Sequence, residues 1–202
     1  MTAWVALEGG EGSGKSTQSR LLAEALGALL TREPGGTPVG ERVRSLLLDP
    51  TVDALDGRAE ALLMAADRAQ HMADVVAPAL AAGRDVVSDR SAWSSLAYQG
   101  YGRGLPIDEL RKLSDWALRG RWPDLAVLVR VPDDVVAARL VEAGRAADRF
   151  EAEGEAFHRR VREGFEALAA AEPERWAVVD GSGSVADVAA RVLTLVRSRV
   201  RA

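Results

Sequence analysis

The 202-residue chain has no cysteine and no asparagine, only two lysines and only two histidines. Without cysteine there is no disulfide, no thiolate metal site and no sulfur nucleophile. His71 and His158 alone cannot build a histidine-rich metal centre, so any metal must be held by oxygen. Long apolar runs are missing too; stretches such as Leu125 to Val129 are far too short to cross a bilayer, which argues against a membrane protein. Met1-Thr2-Ala3-Trp4 leads into an apolar run with no basic segment or signal-peptide core, so a cytoplasmic location is expected. An excess of positive charge is also absent. The formal net charge of -4 speaks against a general nucleic-acid binder. What basic charge there is comes from 24 arginines, with Lys15 and Lys112 the only lysines, and this makes Lys15 conspicuous.

What is present describes an ordinary globular chain. With 48% hydrophobic and 28% charged residues, it is long enough for one well-cored domain spanning residues 1–202. Trp4 to Glu8 is a short apolar run that stops at a glycine cluster, and Ser16 to Leu30 then carries leucines and alanines at helical spacing. Further helices are expected from Val39 to Leu48, from about Asp56 to Ala82 with Gly83 as its stop, and from Val185 to Val200. In the long helix Leu62, Leu63 and Ala66 are expected to face the core. Asp85 to Asp89, Leu125 to Val131 and Trp176 to Val179 read as strands, and the stretches near 100–104 and 142–150 as loops. Strands alternating with helices imply an α/β fold with a mainly parallel sheet covered on both faces.

Gly9-Gly10-Glu11-Gly12-Ser13-Gly14-Lys15-Ser16 matches the phosphate-loop pattern G-x-x-x-x-G-K-[ST], and it stands between a strand and a helix, where the mechanism needs it. Glycines let successive N–H groups curl around phosphate oxygens, the helix start adds its dipole, Lys15 reaches the β- and γ-phosphates, and the Ser16 hydroxyl can ligate Mg²⁺. Such a loop serves kinases, GTPase switches and motor ATPases alike. The absence of asparagine removes the Asn-Lys-x-Asp element with which most GTPases read guanine. A compact kinase acting on a small phosphorylated acceptor fits better.

Four further segments follow in order: Thr31-Arg32-Glu33-Pro34-Gly35-Gly36-Thr37, Ala66-Asp67-Arg68-Ala69-Gln70-His71, Asp89-Arg90 with Ser94-Ser95-Leu96-Ala97-Tyr98-Gln99-Gly100, and Asp148-Arg149-Phe150-Glu151. Together with Glu8 to Gln18 they resemble the bacterial thymidylate kinase family, over residues 4 to about 180. The resemblance implies a P-loop nucleoside-monophosphate kinase with a five-stranded parallel sheet and a mobile lid over about 139–151. It implies ATP as phosphoryl donor, dTMP as acceptor, Mg²⁺ and a homodimer, with neither nucleic acid nor membrane as partner. The remaining alternatives are a small kinase for dUMP, a deoxynucleoside or a non-nucleotide acceptor, and a non-catalytic ATP-binding module.

By the same resemblance Gly9 to Thr17 bind the donor, and Glu11 turns toward the acceptor's sugar hydroxyl. A carboxylate beside bound triphosphate would otherwise repel it. Asp89 sits near Mg²⁺ or caps the following helix, and Arg90 bridges the acceptor phosphate and the transferred group. Ser91 stands where relatives carry an aromatic or histidine-like residue. Arg68 reads the thymine edge, while Met64, in a place commonly held by phenylalanine, either lies on the base or packs in the core. Ser95 and Gln99 offer polar contacts to the base, and Tyr98 crowds the sugar 2'-carbon. Glu33 and Pro34 border the acceptor pocket with Asp148 and Phe150, and Arg44 reaches the acceptor phosphate. Because Gly12 follows the acidic residue, the catalytic arginine is expected from the lid, Arg145 first and Arg149 second, with Arg139 over adenine.

Overall fold

The computed structural model describes residues 2–52, 55–144 and 148–200. Five parallel strands lie in the order β2-β3-β1-β4-β5: β1 (Trp4–Glu8), β2 (Leu29–Arg32), β3 (Val86–Asp89), β4 (Leu125–Arg130) and β5 (Trp176–Asp180). Every connection is a crossover through helix, which puts helices on both faces, as parallel strands require. On one face Val5, Leu7, Leu125, Val127 and Val129 pack against Leu22 of helix α1 (Lys15–Leu26) and Val188, Val192 and Val196 of the C-terminal helix. On the other, Ala126 and Leu128 meet Trp93, Leu96, Phe157 and Phe165. The alternation along β4 therefore divides one strand between two cores.

Three sequence expectations need correction. The first helix ends at Leu26, not Leu30, because Gly27 adopts φ 66° and the Ala28 N–H returns 2.9 Å to the Ala23 carbonyl. Leu29 and Leu30 then pair with Val86 and Val87, so the fifth strand lies inside what read as the tail of a helix. The helix expected from Asp56 to Ala82 is α3 (Gly57–His71), a π-helical turn (Met72–Val76) and α4 (Ala77–Ala81), with Asp56 capping the start. Its inner face carries Ala61, Ala65, Asp67, Arg68 and His71, and Leu62 is 58% exposed. Apolar spacing misleads here because buried polar partners take the inward positions. Finally, residues 100–102 are not loop. After the short α5 (Ala92–Ser95) a π-helical stretch runs Leu96–Gly102, and Gly102 is required there because the Phe157 ring lies 2.6 Å from where a Cβ would stand.

The other helices are α2 (Pro38–Leu48), α6 (Ile107–Ala117), α7 (Asp133–Ala143), α8 (Glu155–Ala171) and α9 (Val185–Val200). Among the described residues no helix is long and apolar enough to cross a membrane. Strand order reverses at β1, and the carboxyl ends of β1 and β3 lie side by side there, with Leu7 opposite Asp89. Open α/β sheets bind ligands at such a place.

Candidate active site

The loop from Gly9 to Gly14 connects β1 to α1, and Gly14 takes φ 84° as the residue before the helix, a conformation that suits glycine. No side chain caps α1, so its first N–H groups remain for an anion. Lys15 is buried, with Nζ 3.2 Å from the Gly10 carbonyl and 3.9 Å from Glu11 Oε2. Burial, and then the Arg90 charge, lower its pKa from the usual lysine value.

Arg90 faces this loop from the end of β3. Its Nη1 donates to the Gly9 carbonyl and Ser94 Oγ, both at 3.0 Å. Its Nη2 donates to Glu11 Oε1 at 2.6 Å and the Tyr98 hydroxyl at 2.9 Å. Tyr98 in turn donates to Glu11 at 2.9 Å, and its ring stands edge-on to Phe150 at 5.7 Å. Glu11 Oε1 is thus turned toward Arg90 and Tyr98, while Oε2 lies 3.9 Å from Lys15 Nζ. The π-helical stretch is what presents Tyr98 and Gln99: its wider turn closes with the Arg103 N–H on the Tyr98 carbonyl at 2.9 Å.

These groups form one wall of a cavity of about 320 Å³, within the range of small-ligand sites. Lys15, Ser16, Glu33, Pro34, Arg44, Met64, Arg68, Ser95, Gln99, Asp148 and Phe150 share the lining with Glu11, Asp89, Arg90 and Tyr98. The chain elements picked out from sequence therefore meet around one space. The buried Arg68 donates from Nε to Glu33 Oε2 at 2.9 Å and from Nη2 to Ser95 Oγ at 2.9 Å. Glu33 Oε1 lies 3.1 Å from His71 Nδ1, and His71 Nε2 lies 2.6 Å from Thr31 Oγ1. Burial pushes the Glu33 carboxyl up, but Arg68 and His71 together outweigh it and hold its pKa below the usual value. Met64 is half-buried, lines the cavity and packs against the core. Gln99 donates 2.8 Å to Glu60, while its Oε1 is buried with no hydrogen-bond partner. Arg44 holds the Pro34 carbonyl at 2.9 Å.

The lid residues separate. Arg145 lies outside the described residues. Arg149 does not line the cavity: it ion-pairs with Glu60 at 2.7 Å and donates 2.8 Å to the Leu47 carbonyl. Asp148 Oδ1 accepts from the N–H groups of Phe150 and Glu151, closing the turn that carries Phe150 inward. Arg139, on α7, donates to the carbonyls of Gly12, Ser13 and Gly181, so it braces the phosphate loop against the loop after β5. The cap of α5 is Ser91, not Asp89. Asp89 Oδ1 is left buried and without a hydrogen-bond partner, on the same cavity wall as Ser16. An oxygen so placed suits a hard divalent cation, and since the described residues contain no cluster of three metal-ligating side chains, such an ion would also need phosphate or water oxygens.

Glu8, Asp67, His71 and Glu60, to which sequence reasoning assigned no role, are all buried polar or charged side chains. Asp67 and His71 lie in the segment with Arg68, and Glu8 is a carboxylate closing an otherwise apolar strand.

A parallel sheet with a phosphate loop at its reversal point, and one cavity that this loop shares with an Asp-Arg pair and a buried arginine, define a P-loop phosphotransferase. The thymidylate kinase family model matches residues 7–192, and the chain belongs to that family. A thymidylate kinase of Synechococcus sp. (strain JA-2-3B'a(2-13)) is 50% identical over 202 residues, covering 98% of this chain and 95% of the relative. One from Chromobacterium violaceum is 48% identical over 196 residues, covering 94% and 91%. The crystal structure of thymidylate kinase from Ehrlichia chaffeensis superposes with a TM-score of 0.79 at 32% identity, covering 96% of this chain and 98% of that one.

Proposed function

We propose that this chain transfers the γ-phosphoryl group of ATP to dTMP, giving ADP and dTDP. The observation that carries the reading is the one cavity lined together by Lys15 of the phosphate loop, Arg90 and Arg68. An acceptor carrying both a phosphate and a base can use one arginine for each. The acceptor phosphate has its second pKa near ~6, so its oxygen is already ionised and no general base is needed. The remaining work is positioning and charge neutralisation.

In this reading Gly9 to Thr17 hold the donor phosphates, with Lys15 on the transferred group and Arg139 bracing the loop from behind. Arg90 spans donor and acceptor. Glu11 and Tyr98 meet the sugar, Arg68, Ser95 and Gln99 the base edge, and Met64 its face. Glu33 holds Arg68 in place, and Arg44, Pro34, Asp148 and Phe150 bound the pocket. Mg²⁺ bound by Asp89 and Ser16 would offset charge on the phosphates. Arg149 is engaged by Glu60, so the charge delivered by the lid falls to Arg145. The homodimer implied by the resemblance has support in the exposed Leu46, Leu62 and Trp116, on α2, α3 and α6, which pack in succession. Action in the cytoplasm completes the proposal.

A coupled ADP-release assay across nucleoside monophosphates tests it. Release that depends on the acceptor and is fastest per unit kcat/KM with dTMP is expected. Faster turnover of dUMP or another acceptor would reassign the substrate, and ADP release indifferent to any acceptor would end the kinase reading.

A further inference from the structure

Glu8 is the last residue of β1, fully buried, and has no task in the mechanism above. Its Oε1 accepts from Ser91 Oγ at 2.7 Å and its Oε2 from Ser94 Oγ at 2.6 Å. The Ser94 oxygen also accepts from Arg90 Nη1 at 3.0 Å. We propose that Glu8 is a positioning residue for phosphoryl transfer, setting through Ser94 where the Arg90 guanidinium lies between the phosphate loop and the acceptor cavity.

The polarity of the three groups carries the argument. A serine hydroxyl has one proton and two lone pairs. An ionised Glu8 can only accept, so it takes the Ser94 proton and turns the Ser94 lone pairs toward Arg90. Ser94 then acts as a fixed acceptor opposite the Gly9 carbonyl, which takes the other Nη1 hydrogen. Arg90 needs such guidance because its backbone sits at φ 71°, a left-handed conformation unusual for arginine. Stability alone does not account for Glu8. Both its partners are neutral hydroxyls, and burial outweighs them together with the Arg90 charge, pushing the carboxyl up to about 7. A neutral side chain of the same shape would suit the fold at least as well. Ser91 supplies an internal comparison: it donates to the same carboxylate and caps α5 by accepting from the Trp93 N–H, whereas the Arg90 Nη atoms bond Gly9, Ser94, Glu11 and Tyr98.

This inference rests on acceptor-dependent transfer being the site's activity, a reading that fails in the wild type if dTMP elicits no ADP release. The present one is tested by comparing variants of an active wild type. Glu8→Gln, Ser94→Ala, their double variant and Ser91→Ala are measured for kcat, for KM of dTMP and ATP, and for Tm. Glu8→Gln is expected to lower kcat/KM for dTMP about tenfold, the size expected when a hydrogen bond to a charged group loosens. The KM for ATP should stay within about twofold, since the substitution leaves Lys15 and the N–H groups at the start of α1 in place. Tm should hold or rise. Ser94→Ala should show the same kinetic loss, and the double variant no more than the worse single one. Ser91→Ala should shift Tm with a smaller kinetic effect. Unchanged kinetics in Glu8→Gln or in Ser94→Ala, or losses that add in the double variant, would overturn the proposal. So would equal kinetic losses from Ser91→Ala and Ser94→Ala, which would mark Glu8 as a structural residue only. Should Glu8→Gln fail to fold, Ser94→Ala reads the same link from its other end.

Discussion

Replacing Glu33 by glutamine is the sharpest test of how the base end of the cavity is held. The substitution keeps the shape and removes one charge from a cluster in which Arg68 is 2% exposed and Glu33 4%. Arg68 Nε would face a neutral amide at the place where it now meets a carboxylate at 2.9 Å, and His71 Nδ1 would lose its anionic partner at 3.1 Å. Breaking a buried ion pair from one side costs about 3–5 kcal/mol, because the remaining charge stays buried without compensation. For a chain of this length each kcal/mol moves Tm by about 2–4 °C, so a fall of roughly 6–20 °C is expected. Calorimetry or urea unfolding of the nucleotide-free protein measures it. KM for dTMP should rise in the same variant, as Arg68 loses the group that aims it. The double variant Glu33→Leu with Arg68→Met, which removes both charges, should recover part of the stability while remaining unable to bind dTMP normally. A loss below about 1 kcal/mol in Glu33→Gln, or a double variant as unstable as the sum of the singles, would refute the view that the pair is electrostatically interdependent.

Two further predictions concern neighbouring clusters. Asp67 accepts from the Gly35 N–H through Oδ1 while its Oδ2 is buried without a partner, and burial, helped by Glu33, pushes its carboxyl up to about 6. A raised carboxyl binds its proton more tightly when folded. Its contribution is therefore present below the unfolded value of 3.8 and lost as pH rises through about 6, amounting to about 3 kcal/mol. Asp67→Asn should remove that downward slope from a plot of unfolding free energy against pH, and an unchanged slope would place the titration elsewhere. Arg149→Ala should lower stability by about 1–2 kcal/mol in urea unfolding, since Glu60 keeps Arg103 and Gln99, and should leave kcat within about tenfold. A drop of a hundredfold or more, with Tm unchanged, would return Arg149 to the chemistry.

The sheet was legible where short runs rich in valine and leucine stand apart from helical spacing. β1, β4 and β5 are mostly apolar and β3 opens on two valines, and the limits of all four differ by a residue or less from what the pattern suggests. β2 was not, because Leu29 and Leu30 continue the leucine spacing of α1 across Gly27, and only the left-handed turn at that glycine shows where the helix stops. Segments whose inward residues are polar were misread for a related reason. In α3 the groups facing inward are Asp67, Arg68 and His71, and a hydrophobic pattern cannot reveal partners supplied by β2 and the loop after it.

The site divides along the same line. Residues that touch the cavity sit in short segments that point to it when taken together in order, whereas the partners that aim them acquire meaning only through contact. Arg90 shows why the second group matters. Its φ of 71° is a strained conformation for a residue with a Cβ, costing on the order of 1–3 kcal/mol. The chain holds it there through the Arg90 N–H on the Leu7 carbonyl at 2.9 Å and through four acceptors on the two Nη atoms. Glycine would adopt that backbone without strain but bring no charge to the cavity. Lysine would bring charge but only one nitrogen, unable to reach Gly9 and Ser94 on one side and Glu11 and Tyr98 on the other at the same time. Only the planar fork of arginine links the phosphate loop to Tyr98, and it leaves the Nε–H for a ligand. An incoming phosphate that also takes an Nη hydrogen must displace one of these four acceptors.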